Sequence, residues 1–148
     1  MNFQGEFHNT IDAKGRASIP AKFREVLAET QGDERVVVTK NLEGGLTAYP
    51  LSHWSQILEN VQGLPNGPQK AAAIRLMVAP AAECAFDKQG RIQIPQALRS
   101  DAGLKKEIVV VGLFEKIEIY SQLQYAAVTS KSEELLQSDS QAVADMGF

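Results

Sequence analysis

The chain is built from short apolar segments of strand type that alternate with amphipathic segments of helix type. Four apolar segments have the length and the β-branched and aromatic content of buried strands: RVVVT at 35–39, LTAY at 46–49, EIVVV at 107–111 and IEIY at 117–120. Residues 16–19 and 91–94 can also run extended, and each is followed by a proline that suits the first turn of a helix. The pattern therefore predicts strand, turn, strand, short helix, strand and strand, and it predicts this order twice.

The two halves of this pattern carry nearly the same nonapeptide. DAKGRASIP occupies 12–20 and DKQGRIQIP occupies 87–95, at an offset of 75 residues. The match continues to Tyr49 and Tyr120, where the offset is 71 residues. A unit of about 50 residues is only marginally stable alone. The sequence therefore predicts a tandem duplication whose two units pack on each other as an intrachain pseudo-dimer, mainly β with short helices (α+β).

The segments between and after the two units are helical in pattern. Residues 51–61 place an apolar stripe on one helix face, residues 69–79 predict a second helix, and residues 121–137 predict a third. The residues after 137 are expected to fray. The predicted organisation is a first unit at 5–52, a helical connector at 53–79, a second unit at 80–123, and a C-terminal helix and tail at 124–148.

Composition narrows the class of protein. The 148 residues are 44% hydrophobic and 22% charged, which is normal for a globular domain. Cys84 is the single cysteine, so neither an internal disulfide nor a zinc-ligand spacing is available. No basic-then-apolar leader and no apolar stretch of membrane-spanning length is present. We expect a cytoplasmic protein without metal or cofactor.

The charge distribution changes the meaning of the total. The net charge is −3 and the pI is near 5.4, which alone argues mildly against nucleic acid as a partner. Basic residues nevertheless outnumber acidic ones within 12–25 and within 87–100, whereas residues 107–148 are strongly acidic. A binding surface depends on the local field, so the two repeats remain candidates for contact with DNA.

The repeated turn brings cations together twice. Lys14 and Arg16 are two residues apart around a glycine, so an extended backbone projects both to one face. The second copy has Gln89 in place of Lys14, and it offers Lys88 and Arg91. Arginine presents a planar fork that matches phosphates and the O6/N7 edge of guanine, and glutamine can pair with adenine or bond a phosphate. A fold constraint explains a repeated glycine more readily than a repeated arginine.

Four other residues of the repeat are expected to shape the turn. Asp12 and Asp87 can bond backbone amides or orient the neighbouring arginine, and Gly15 and Gly90 suit a backbone with positive φ.

The cations Lys22, Arg24 and Arg99 lie just downstream on the short helices. They can line the same surface or simply solvate their helices, and the sequence leaves both readings open.

Catalytic readings have little support. His8 and Asp12 are four residues apart and could form an acid–base pair, but a strand histidine near a turn explains the spacing as well. His53 falls in the predicted connecting helix, where a surface or interface position is expected. Cys84 has no nearby histidine and is expected to be a buried thiol.

The quoted segments closely resemble one family. GEFHNTIDAKGRASIPAKFREVL, GLTAYPLSHW, ECAFDKQGRIQIP and VVVGLFEKIEIYS, in this order between Gly5 and Tyr125, are similar to the MraZ family of bacterial transcriptional regulators within the wider AbrB/SpoVT-like group. The resemblance implies AbrB/SpoVT-like units with swapped hairpins and a ring-shaped homo-oligomer. It also implies binding to repeated promoter boxes of the division and cell-wall gene cluster. The DNA-contacting loops map onto Asp12–Arg16 and Asp87–Arg91.

The leading hypothesis is a sequence-specific, nucleoid-associated DNA-binding regulator, a repressor if the bound assembly blocks polymerase. In it, Arg16 and Arg91 read bases, while Lys14, Lys88, Gln89, Lys22, Arg24 and Arg99 contact DNA beside them. Two alternatives stay open. The first is an AbrB-type antitoxin or adaptor whose acidic tail binds a partner protein, and the second is a small acid–base enzyme that uses His8 and Asp12. No small-molecule ligand is indicated.

Overall fold

The structure is a computed structural model that describes residues 2–32 and 35–148. The first unit contains β1 (Phe3–Thr10), β2 (Arg16–Ser18), α1 (Ala21–Gln31), β3 (Arg35–Lys40) and β4 (Leu46–Pro50). The connector contains α2 (Leu51–Gln62) and α3 (Pro68–Ala73), which continues into one π-helical turn (Ile74–Val78). The second unit contains β5 (Ala82–Ala85), β6 (Arg91–Gln93), α4 (Gln96–Asp101), β7 (Glu107–Phe114) and β8 (Lys116–Ser121), and α5 (Gln122–Gln137) and α6 (Ser140–Asp145) follow.

The two units exchange strands. A six-stranded antiparallel sheet has the order β1-β7-β8-β4-β3-β5, and β2 and β6 form a separate two-stranded sheet. Strand β1 of the first unit therefore pairs with β7 of the second, and β5 of the second pairs with β3 of the first. The predicted α+β fold of duplicated, swapped units is confirmed, and the sheet that joins the units is antiparallel.

The strand registers define an internal pseudo-two-fold axis. Ala17 pairs with Ile92 at the centre of the small sheet, and these two residues are equivalent in the repeat. Thr47 pairs with Glu118 between β4 and β8, and these two are equivalent as well. An antiparallel ladder centred on a pair of equivalent residues maps onto itself under a two-fold rotation. The axis therefore runs through both sheets and relates one unit to the other.

The core is shared by the two units. Phe23 of α1 is fully buried, with its ring centroid 5.6 Å from that of Phe3 and 5.3 Å from that of Phe7, both in edge-on geometry. Both of these partners lie on β1, which is held in place by β7 of the other unit. Ile92 and Leu98 of the second unit are buried in the same cluster. One cluster of buried side chains therefore includes residues of both units.

The helices outside the repeat pack less deeply. The ring centroid of Trp54 in α2 lies 5.8 Å from that of Tyr49, and the ring centroid of Tyr125 in α5 lies 5.6 Å from that of Tyr120. The pseudo-two-fold axis therefore also relates these two aromatic pairs. No residue of α2, α3, α5 or α6 is buried. The expectation of a frayed tail is wrong for residues 140–145, because the Asp139 side chain accepts a hydrogen bond from Ala142 N (3.1 Å) and caps α6. Within the described ranges, no helix is both long and apolar enough to cross a bilayer.

Candidate nucleic-acid interface

The first repeated turn is organised by Asp12. Its Oδ1 accepts hydrogen bonds from the backbone amides of Lys14 (3.0 Å) and Arg16 (2.9 Å), and its Oδ2 accepts one from Arg16 Nε (2.6 Å). The Gly15 amide donates to the Asp12 carbonyl at 3.0 Å, which closes the turn. One carboxylate thus fixes the backbone of the turn and the direction of its arginine.

The second turn repeats this arrangement. Asp87 Oδ1 accepts from the amides of Gln89 (2.8 Å) and Arg91 (2.9 Å), and Asp87 Oδ2 accepts from Arg91 Nε at 2.9 Å. Gly90 donates its amide to the Asp87 carbonyl at 3.0 Å. Gly15 and Gly90 have φ values of 83° and 76°, a region that side chains other than glycine rarely adopt. The same chemistry therefore builds both turns.

The small sheet places the two turns side by side. In the β2–β6 ladder Arg16 pairs with Gln93, and Ser18 pairs with Arg91. Outside the ladder, Ile94 N donates to Gly15 O at 2.8 Å and Ile19 N donates to Gly90 O at 3.2 Å. Each turn is therefore tied to the strand that leaves the other turn.

The two repeated arginines converge on one carboxylate oxygen. Arg16 Nε lies 2.6 Å from Asp12 Oδ2, and Arg91 Nη1 lies 3.7 Å from the same atom. Both arginine side chains remain partly exposed, at 35% and 25%. The two turns therefore bring their arginines together, and Asp12 lies between the two guanidinium groups.

The two aspartates are held in their charged form. Hydrogen bonds from the backbone amide of Arg16, and then from its side chain, lower the pKa of Asp12 below its ordinary value of 3.8. The amide of Arg91 has the same effect on the pKa of Asp87. Because these hydrogen bonds are made to the charged form, both carboxylates are ionised at neutral pH, and the turns lose these acceptors as the pH falls through the lowered pKa values.

The remaining predicted contact residues divide into two groups. Lys14, Lys88, Gln89 and Lys22 have exposed side chains at or beside the turns.

Two polar residues that the sequence did not single out bond the backbone at or next to the first turn. Gln93 Nε2 donates to Lys14 O at 3.1 Å, and Asn9 Nδ2 donates to Ser18 O at 2.9 Å. Only the repeat alignment could have pointed to position 93, since it lies inside the second nonapeptide.

Arg24 and Arg99 do not lie on solvated faces of their helices. Both are partly buried, and each guanidinium lies against the glycine of the opposite unit's turn. A Cβ atom at Gly90 would lie 2.6 Å from Arg24 Cζ, and one at Gly15 would lie 2.6 Å from Arg99 Cζ. The structure thus places these arginines against both turns and crosses them between the units.

The candidate catalytic residues are not brought together. His8 Nε2 lies 3.2 Å from Glu6 Oε2, whereas the Asp12 carboxylate is bonded to its own turn. His53 Nδ1 lies 3.1 Å from the backbone oxygen of Glu115, between β7 and β8. Cys84 is buried, and burial raises its pKa to about 11, which suppresses the thiolate that a nucleophile needs. Among the described residues, no group of three or more His, Cys, Asp or Glu side chains could hold a metal ion.

Comparison with known proteins decides the family. A family model described as "MraZ protein, putative antitoxin-like" matches the chain twice, over residues 2–75 and 77–146. The chain belongs to the MraZ family. The two MraZ matches divide the chain close to the junction between the connector and β5.

Full-length relatives of the MraZ family agree with this assignment. The chain is 50% identical to a protein of Syntrophotalea carbinolica over 151 residues, which covers 100% of both chains. It is 41% identical to a protein of Geobacter metallireducens and 41% identical to one of Pediococcus pentosaceus, with 99% of each chain covered. All three relatives are named Transcriptional regulator MraZ.

Proposed function

We propose that this MraZ-family chain is a sequence-specific DNA-binding transcriptional regulator, acting as a repressor at repeated promoter boxes of the division and cell-wall gene cluster. The observation that carries the proposal is the convergence of Arg16 and Arg91 on Asp12 Oδ2. Two equivalent arginines, each bonded to the aspartate of its turn and related by a pseudo-two-fold axis, are suited to reading base edges in a groove. The names of the full-length relatives support the same function.

Affinity and specificity fall to different residues of this surface. Lys14, Lys88 and Lys22 have exposed ammonium groups that would contact phosphates, and Gln89 can bond either a phosphate or a base. Arg16 and Arg91 would make the base contacts, because Asp12 and Asp87 fix the direction of their side chains. Arg24 and Arg99 remain predicted DNA contacts. The surface thus concentrates cations in a chain whose net charge is −3.

A homo-oligomer, in the form of a ring, would complete the mechanism. One subunit offers few phosphate contacts, so binding to a single box should be weak. Several subunits of one assembly on repeated boxes convert later contacts into intramolecular events, and avidity can then rise by about 10²–10⁴. The acidic residues of 107–148 need not face the DNA, and they would keep it away from the opposite side of the subunit. Such an assembly on a promoter would block polymerase and associate with the nucleoid.

A salt-dependent titration tests the proposed function. We expect tighter binding to a promoter fragment with its repeated boxes than to the same fragment with scrambled boxes. The logarithm of the binding constant should fall linearly with the logarithm of salt concentration, by about 0.9 for each phosphate neutralised. Equal affinity for both fragments would leave only nonspecific binding, and no binding at low salt would reject the proposal.

A second candidate function is an adaptor whose C-terminal helices bind a partner protein. The observation in its favour is that α5 and α6 have no buried residue, that α5 exposes Leu123, Leu135 and Leu136, and that Met146 is exposed just after α6. Against it, α5 is anchored to the repeat, because Ser121 caps it and Tyr125 donates a hydrogen bond to Glu6 Oε1 at 2.5 Å.

Deletion of residues 138–148 separates the two candidates. Because no residue of α6 is fully buried, the truncated chain is expected to keep its melting temperature within about 2 °C. If the chain acts as a DNA-binding regulator through the turns, oligomer size and affinity for the boxes also stay unchanged. Loss of a bound cellular protein together with unchanged DNA affinity would favour the adaptor. Size-exclusion chromatography and the titration above provide both measurements.

A further inference from the structure

The crossed arginines Arg24 and Arg99 occupy space that a side chain at the opposite glycine would need. A Cβ atom at Gly90 would lie 2.6 Å from both Cζ and Nε of Arg24. A Cβ atom at Gly15 would lie 2.5 Å from Nε and 2.6 Å from Cζ of Arg99. Carbon atoms in ordinary packing are about 3.5–4.0 Å apart. Each guanidinium therefore lies directly on the backbone of one turn.

Each arginine packs against the opposite turn without a hydrogen bond from its Nε–H group. The Nε atoms of Arg24 and Arg99 are buried and have no hydrogen-bond partner within residues 2–32 and 35–148. A buried polar atom without a partner needs a compensating reason to be there. Guanidinium groups are weakly hydrated and pack well through their flat faces. The same unusual environment occurs at both equivalent positions, so we take it as a designed feature of the repeat.

The antiparallel small sheet explains why the arginines are crossed. Strand β2 ends at Ser18, which pairs with Arg91 at the start of β6. The helix that follows β2 must therefore begin beside the turn that precedes β6, and Ile19 N is bonded to Gly90 O. The pseudo-two-fold axis places the helix after β6 beside the first turn in the same way. Arg24 on α1 thus reaches the second turn, and Arg99 on α4 reaches the first.

We propose that Arg24 and Arg99 are positioning residues that hold the opposite unit's turn, so that each DNA-reading turn is completed by the helix of its twin. The DNA-binding role of the turns rests on the proposed function, whereas the contact between each arginine and the opposite turn does not depend on DNA. Arg99 fixes the turn that directs Arg16, and Arg24 fixes the turn that directs Arg91. The repeat therefore has a reason to keep these arginines that is separate from any phosphate contact.

Hydrogen exchange of the free, full-length protein tests the crossing without DNA. In Arg99→Ala, we expect the amides of residues 13–16 to exchange about tenfold faster, while those of 88–91 stay as in the wild type. In Arg24→Ala, the pattern is reversed. Lys22→Ala is the matched control, because Lys22 is an exposed cation of the same helix α1 as Arg24. Acceleration in the turn of the same unit, in both turns equally, or in neither would overturn the proposal.

Charge-retaining variants keep the test valid if an alanine variant fails to fold. Arg99→Lys and Arg24→Lys preserve the positive charge but lose the planar group, and we expect the same crossed pattern. If lysine restores wild-type exchange in both turns, the plane of the guanidinium is not what holds them, and the proposal fails. Exchange in β7, which lies in the large sheet, reports whether the fold is intact.

Binding couplings measure the consequence for DNA. Arg99→Ala should be more strongly coupled to Arg16→Lys than to Arg91→Lys, because Arg16 lies on the turn that Arg99 holds, whereas Arg91 meets that turn only at Asp12. Arg24→Ala should show the opposite preference. Equal coupling to both arginines would overturn the crossed arrangement. If the wild type does not bind DNA at all, the proposed function fails, and the exchange experiment still decides the positioning role.

Discussion

Replacement of either repeated arginine, Arg16→Ala or Arg91→Ala, is expected to lower affinity for the promoter boxes by about 10- to 100-fold. One good bidentate contact to a base contributes about 1–3 kcal/mol of discrimination, and every subunit of an assembly would carry the change. Because both side chains are partly exposed at the edge of the small sheet, neither replacement should alter oligomer size. Binding titrations at several salt concentrations and size-exclusion chromatography check the two expectations.

Arg75→Ala provides a matched control for the arginine variants. Arg75 is an exposed arginine of the π-helical turn after α3, outside the repeated turns. Its replacement changes the net charge by the same amount, so it reports any effect of charge alone. We expect Arg75→Ala to bind the boxes like the wild type. If Arg16→Ala and Arg91→Ala also bind like the wild type, the repeated turns are structural and the DNA surface lies elsewhere.

The specific and scrambled fragments separate two ways of losing affinity. Replacement of an arginine that reads bases should reduce binding to the specific boxes far more than binding to the scrambled fragment. Removal of a phosphate contact should weaken binding to both fragments equally and make the salt slope shallower by about one unit. Lys14→Ala and Lys88→Ala supply the reference for this second behaviour, since both lysines are exposed at the turns.

The repeat allowed much of the fold to be predicted from local patterns. The four apolar segments became β3, β4, β7 and β8, and the prolines at 20 and 95 precede α1 and α4. The exchange of β1 and β5 between the units could be inferred only from family resemblance. The residues GEFHNT lack the strong apolar alternation that would identify their partner, and pairing with β7 joins segments about 100 residues apart. Such long-range pairing is determined by the whole core.

The candidate site was predictable in its residue types and not in its connections. The doubled motif identified Asp12, Arg16, Asp87 and Arg91, because glycine and aspartate in a turn have known backbone roles. The contact between Arg91 and Asp12 depends on the register of the β2–β6 ladder, which no local pattern specifies. The crossing of Arg24 and Arg99 follows from the same register. The sequence therefore indicated the candidate side chains, and the register determines which of them meet.

A methyl group at Gly112 is expected to destabilise the protein by about 3 kcal/mol, near the upper end of the usual cost of overpacking. Gly112 of β7 pairs with Gly5 of β1, at the place where the exchanged strand crosses the other unit. A Cβ atom there would lie 2.6 Å from the carbonyl carbon of Phe3 and 2.7 Å from the amide nitrogen of Gln4. These are backbone atoms, so β1 must move away from β7, and the fully buried Phe3 would move with it.

The melting temperature of Gly112→Ala should fall by roughly 6–12 °C at a fixed protein concentration. Gly63→Ala is the control, because Gly63 has an ordinary φ of −77° and its Cβ would come no closer than 3.3 Å to another atom. We expect the control to stay within about 0.5 kcal/mol of the wild type. If Gly112→Ala melts like Gly63→Ala, β1 is not held against β7 in solution. The strand exchange that joins the two units, and with it the shared core beneath the turns, would then have to be abandoned.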